Sequence, residues 1–211
     1  MTPLFILKVL GSLKTEMKIV FGVVSTLFFL PLVAVVVIAN AGIVEVASAL
    51  VSTSPTAHEV EIKNADGTVT KILKTSTVWP VSGVVTLEFG ESDLPYQVHH
   101  TGIDIANRHQ LTGDPVTTFM QGKVIKVNTD TSNGCGNFVT IDHGDNITSL
   151  YCHLTLTLAH IGQDVIPGDI IGLEGSTGNS TGPHVHFQIM VSGVPVNPRN
   201  FMVGNPDPGL L

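Results

Sequence analysis

Charge is scarce in this chain of 211 residues: Asp, Glu, Lys and Arg make up only 13% of it, and ten basic residues face seventeen acidic ones. The resulting net charge of −7, with histidine neutral, comes without any basic patch interleaved with aromatics. A general nucleic-acid binder, which needs a cationic surface for phosphates, is thereby excluded. Aromatic residues are few, at 6%. Only two cysteines are present, Cys135 and Cys152. No HExxH helix occurs, so the chain has no glutamate base of that type. No serine sits in the strand-to-helix setting of a nucleophile elbow, and no internal repeat is visible.

One absence is local. From Ile19 to Val44, 26 residues run without a single Asp, Glu, Lys or Arg. About 20 apolar residues span a bilayer as a helix, so 19–44 reads as a transmembrane segment. Lys8, Lys14 and Lys18 precede it while Glu45, Glu59 and Glu61 follow it, which predicts a cytoplasmic N-terminus and an exported remainder. Ala39-Asn40-Ala41 and Ala47-Ser48-Ala49 also fit a signal-peptidase site. The run exceeds the usual apolar region of a cleaved signal, and its length favours an uncleaved signal anchor. The expected organisation is a basic lead (1–18), the anchor (19–44), a linker or spacer with a hairpin around Ala65-Asp66-Gly67 (45–77), a folded domain (78–200) and a tail (201–211). The expected location is the cell membrane, single-pass, with the domain on the extracytoplasmic side.

From about Val78 the chain consists of short β-type runs punctuated by Gly, Pro, Asn and Asp: GVVTLEFG, GKVIKVNT, NFVTIDHG, NITSLYCHL, DIIGLEG and HVHFQIMV. Helical periodicity is nearly absent, apart from one turn suggested at 155–162. The fold class is mainly β, a single antiparallel β-sheet domain with a substrate groove, preceded by the transmembrane helix. Two strands at roughly 137–142 and 147–153 read as a hairpin, with Phe138 opposite Tyr151 and Cys135 near Cys152. A disulfide and a pair of free thiols are both compatible with that placement.

What the chain does have is histidine, nine in all. In STGPHVHFQIMV (180–191), period two sends His184, His186 and Gln188 to one face and Val185, Phe187 and Ile189 to the other. Two imidazoles on one strand face can serve one metal, or one can bind metal while the other handles a proton. His100-Thr101-Gly102-Ile103-Asp104 adds an imidazole and a carboxylate, brought together if Gly102 bends the chain. Zinc in catalytic sites takes three such ligands and keeps a fourth position open. His153, in TSLYCHL, reads as a further site histidine or as a core one; His58, His99, His109, His143 and His160 read as surface or structural.

HTGIDIA, YCHL and GSTGNSTGPHVHFQI, in this order, resemble the signature of the lysostaphin/LytM-type zinc endopeptidases, the M23 peptidases, and the similarity runs from about Gly83 to Asn200. The resemblance implies Zn2+ held by His100, Asp104 and His186, with His153 and His184 acting in catalysis. It implies peptidoglycan as the substrate, cut at cross-links or stem peptides. The chain departs from the family in Phe89-Gly90-Glu91-Ser92, where an Arg is common after FG, in Gln188 where Glu is frequent, and in Cys152 where a small residue is usual.

The expected function is thus a membrane-anchored zinc endopeptidase of the bacterial wall. A non-catalytic wall-binding or envelope-assembly module on the same fold, with assembly partners, is the alternative. It predicts loss of a ligand or of His153, and neither is lost. A lipoyl-type carrier, suggested by GQDVIPGDIIG, lacks the accepting lysine, since no Lys follows Lys126.

Overall fold

The computed structural model describes residues 15, 51–53, 59–63, 68–74, 77–91, 99–109, 111–132 and 134–207. Apart from Thr15 they all belong to the second of two units, Ile43–Leu211. A first small sheet contains β1 (Val51–Thr53), β2 (Glu59–Lys63) and β3 (Val69–Lys74), with β2 and β3 paired as an antiparallel hairpin.

Then follow β4 (Val84–Leu87), β5 (Ile103–Ala106), β6 (Pro115–Thr117), β7 (Gly122–Asn128), β8 (Asn137–Asp142), β9 (Ile147–Leu154) and β10 (Leu156–Thr157). The series closes with β11 (Asp164–Val165), β12 (Ile170–Leu173), β13 (Val185–Val191) and β14 (Val194–Val196). The main sheet has eight strands in the order β11-β7-β8-β9-β13-β5-β4, with β14 beside β13, and a third sheet runs β10-β12-β6. All the pairings are antiparallel. Among the described residues the expected β domain at 78–200 thus carries two sheets, and the small sheet before it falls in the spacer where a hairpin was expected.

β13 sits near the centre of the large sheet because its sequence alternates. Val185, Phe187, Ile189 and Val191 are buried, while His186, Gln188 and Met190 stay partly open. Phe187 packs against Tyr151 and Phe119 at ring-centroid distances of 5.2 and 5.4 Å. Burying each such ring stabilises the fold by about 1.5–3 kcal/mol, enough to fix which face of β13 turns inward. A one-residue slip would exchange the faces.

Three local readings change. The turn suggested at 155–162 is instead β10 and an irregular link, with Leu158 and Ala159 both donating N–H bonds to the Ile171 carbonyl. The stretch from Pro198, whose Pro and Gly content argues against regular structure, instead opens with a 3-10 turn, Pro198–Phe201, since the Asn197 side chain accepts the Arg199 N–H and Pro198 needs no donor partner there. The β8–β9 register opposes Val139, not Phe138, to Tyr151.

The membrane expectation is corrected as well. Among the described residues no helix is long and apolar enough to cross a membrane, and 19–44, on which that expectation rested, lies outside the described residues. The transmembrane helix in the fold class, the anchored form of the function, the membrane as partner and the single-pass location are withdrawn. Hydropathy measures the affinity of side chains for an apolar phase. Spanning also requires a backbone that satisfies its own hydrogen bonds, and composition does not supply that.

Candidate metal centre and active site

Three strands carry the site. Asp104 on β5 is the direct cross-strand partner of His186 on β13, and His186 is in turn opposite Cys152 on β9. Because Ile103, Ile105 and Phe187 point into the core, the intervening Asp104 and His186 share the opposite face. His100 reaches the same point from the loop before β5. Its N–H donates to Glu91 O and its carbonyl accepts from Gly90 N–H.

Gly102 is needed here for a reason other than bending. A Cβ at that position would lie 2.4 Å from the Phe187 carbonyl oxygen and 2.9 Å from His186 Cε1. The backbone of this loop therefore passes against β13 only because residue 102 has no side chain.

His100 Nε2, Asp104 Oδ1 and His186 Nδ1 form a triangle. Its edges are 2.9 Å between the two nitrogens and 3.0 Å from each nitrogen to the carboxylate oxygen. Around zinc with ligand distances near 2.0–2.1 Å, a tetrahedral face has edges of about 3.3 Å. The donor set of two imidazoles and one carboxylate and the size of the triangle both fit zinc, and the cluster can hold a metal ion.

Each ligand is oriented from behind. His100 Nδ1 donates to the Glu88 carbonyl at 3.1 Å, so its Nε2 lone pair faces the centre. His186 turns Nε2 toward Gln188 Oε1 at 3.4 Å, and Thr101 Oγ1 donates to the same amide oxygen at 2.8 Å. Gln188 thus fills an outer-shell place. Burial acts to raise the Asp104 carboxyl, yet the hydrogen bonds and charge of His100 and His186 outweigh it and hold Asp104 well below the usual carboxylate range.

Beside the triangle stand two more imidazoles. His153 and His184 have ring centroids 4.7 Å apart, and His153 is 6.3 Å from His186. His184 Nε2 is 3.7 Å from Asp104 Oδ2. His153 Nδ1 lies 2.8 Å from the Thr177 carbonyl and His184 Nδ1 2.8 Å from the Gly182 carbonyl. A carbonyl only accepts, so both rings carry hydrogen on Nδ1, and the neutral forms keep a bare Nε2. Burial, chiefly, pushes His153 down to about 4, and the neighbouring His184 and His186 add to the shift.

His153 reaches this face by breaking alternation. It has the parity of Tyr151, which points into the core, but its φ is +64°. Between Tyr151 and Leu154 the β9 strand carries one more residue than the Asn137–Val139 segment opposite, which makes a bulge. That bulge swings the ring round to its partners.

All five residues singled out in the sequence, His100, Asp104, His153, His184 and His186, come together at one place. Sequence reasoning missed the groups that aim them, the carbonyls of Glu88, Thr177 and Gly182, because backbone acceptors leave no side-chain signature. It also missed Glu174, fully buried, which accepts hydrogen bonds from the Asn107 backbone and side-chain amides and ties the end of β5 to the end of β12. An acid inside DIIGLEG was its only trace.

The comparisons with known proteins agree with this geometry. The family model described as peptidase family M23 matches residues 98–198. The chain is similar to the peptidoglycan DD-endopeptidase ShyA of Vibrio cholerae, 42% identical over 98 residues, covering 46% of this chain and 22% of that protein. It is also similar to the murein hydrolase activator NlpD of Salmonella typhimurium, 33% identical over 150 residues, covering 71% of this chain and 37% of that one. Among solved structures it resembles a mutant catalytic domain of the prophage-encoded M23 protein EnpA from Enterococcus faecalis. That match has 34% identity and a TM-score of 0.52, and covers 59% of this chain and 95% of that one. The chain spans about a quarter of the length of the first curated relatives it matches.

Proposed function

This chain belongs to peptidase family M23, and from that premise we propose that it is a zinc-dependent endopeptidase that hydrolyses peptide bonds in the cross-links or stem peptides of bacterial peptidoglycan. The observation that carries the reading is the convergence of the metal triangle with two imidazoles whose Nε2 atoms are left bare. Bound between His100, Asp104 and His186, zinc supplies Lewis acidity toward water and an amide carbonyl. The remaining work falls to the protein. His153 and His184 between them take a proton from water, deliver one to the leaving amine and hydrogen-bond the carbonyl oxygen as it becomes negative. Their Nδ1–H bonds to fixed carbonyls keep both rings in the tautomer this requires. His153, held neutral near pH 7 by burial, is a strong proton donor once charged, which suits protonation of a departing nitrogen.

A non-catalytic activator role has one observation in its favour, the similarity to NlpD over 71% of this chain. The complete set of five site residues favours catalysis instead. The deciding experiment is digestion of purified peptidoglycan walls with different cross-bridges by the full, zinc-loaded chain, read by mass spectrometry. New amine termini that vanish with a chelator and with His153→Ala are the expected result. Intact walls from folded, zinc-loaded protein overturn the endopeptidase reading.

A further inference from the structure

Cys135 and Cys152 are joined in a disulfide, with Cα atoms 5.1 Å apart. Its two ends meet at one residue. Cys152 directly precedes His153, and the Cys135 carbonyl accepts the His153 N–H at 2.9 Å. The bond therefore closes on the bulge that turns His153 toward His184.

The segment it pins has other contacts. Gly134 O accepts from Asn179 N–H, and a Cβ at Gly136 would lie 2.4 Å from Thr177 Oγ1. Thr177 is the residue whose carbonyl receives His153 Nδ1–H, whose N–H donates to His153 O at 3.3 Å, and whose hydroxyl donates to Leu154 O at 2.9 Å. Thus the disulfide clamps 134–136 between β9 and the 175–184 loop that leads to His184. A non-glycine residue at φ near +60°, as His153 is, is held only when its surroundings over-determine it. The disulfide is the one covalent constraint on this bulge, and opening it leaves the His153 backbone held by hydrogen bonds alone. Asp104 is held by the β5–β13 pairing and His100 by Gly90 and Glu91, away from the clamped segment; His186 pairs with Cys152 on one side but also with Asp104 on the other, so the β5 ladder still holds it when the disulfide opens.

We propose that the Cys135–Cys152 disulfide is a redox-sensitive positioning element for His153: oxidised, it holds the imidazole in the site; reduced, it releases the imidazole while the metal triangle persists. The catalytic part of this proposal rests on the endopeptidase reading above, whereas the structural part does not. Reduction by a trialkylphosphine consumes one water and gives two thiols and the phosphine oxide, so no metal-chelating dithiol is needed.

The test uses the full, zinc-loaded chain with 15N-labelled histidine, oxidised and phosphine-reduced, beside Cys135→Ser/Cys152→Ser. Reduction is expected to shift the His153 ring resonances while those of His143, bonded to Gln121 O and Ser149 Oγ elsewhere in the fold, stay in place. Zinc content should not change, and kcat on peptidoglycan should fall about ten- to a hundredfold, the scale for misplacing a catalytic group. Reoxidation should restore both, and the double variant should match the reduced protein and ignore phosphine. An unmoved His153 resonance after confirmed reduction overturns the proposal. So does loss of the His143 and His153 signals together, which would make the disulfide a general staple. If the oxidised chain cuts no wall, the endopeptidase reading fails, and the His153 resonance still decides the positioning claim.

Discussion

Asp104 and His186 face each other across the β5–β13 pair, and Asp104 Oδ1 lies 3.0 Å from His186 Nδ1. A cross-strand pair on a central strand is held by the sheet ladder rather than by a loop, so the ligand geometry is as rigid as the sheet.

Replacing the carboxylate should therefore empty the site without unfolding it. Asp104→Asn is expected to weaken zinc binding by more than about a hundredfold, beyond the ten- to hundredfold typical of outer-shell changes. Competition against a chromophoric chelator measures this, and circular dichroism should remain that of the parent. Retained affinity would remove Asp104 from the ligand set.

Gly102→Ala should damage fold and site together. The new Cβ meets the Phe187 carbonyl, which is backbone and cannot swing away, and it also presses on the His186 ring. Overpacking of this kind costs about 1–3 kcal/mol. Thermal unfolding should show the loss of stability, and a zinc titration should show weaker binding in the same sample.

The metal-free protein should lose stability as pH falls through the range from 6.5 to about 4. His153 is lowered from 6.5 to about 4 by burial, and His143 is lowered for the same reason. Below 6.5 the unfolded chain takes up protons that the folded chain still refuses, so their effect is absent above the unfolded pKa and grows toward acid. Each such group contributes a slope of at most about 1.4 kcal/mol per pH unit. Denaturant midpoints of the chelator-treated protein at pH 7.5, 6 and 4.5 check the sign; a flat profile contradicts it.

Tyr151→Phe separates stability from catalysis. Tyr151 Oη accepts the Phe119 N–H at 3.1 Å and lies 3.1 Å from Ser149 Oγ, deep in the core. Burial pushes its phenol up to about 12, so the group is neutral throughout the working range. Removing the hydroxyl leaves a buried donor unsatisfied and should cost about 1–3 kcal/mol. Zinc affinity should be unchanged, because the side chain points to the face opposite the metal triangle.

Much of this was legible before any coordinates. Alternation in HVHFQIMV predicted which face of β13 would be buried, because a strand has a period of two and apolar side chains seek the core. The limits of β8 and β9 were legible from the Gly-Asp-Asn turn between them. The five site residues could be named together because three separated motifs, HTGIDIA, YCHL and GSTGNSTGPHVHFQI, resemble the M23 signature in order; the spacing of the histidines alone left each of them open.

Other features were not local and could not be read. The β8–β9 register depends on a bulge between Asn137 and Val139, which no local pattern in the sequence marks. The separation of β10, β12 and β6 into a sheet of their own depends on how such short strands find long-range partners. The apolar run at 19–44 showed what hydropathy alone leaves undecided.

The sequence by itself determined the chemical inventory: four imidazoles and a carboxylate in three separated motifs, and a β pattern to display them. Only the tertiary structure decided their aim. Period-two alternation would have buried His153 with Tyr151, and it reaches His184 because one extra residue and a φ of +64° reverse its direction. Side-chain type is written residue by residue. Side-chain direction is a property of the backbone path, which long-range pairing decides.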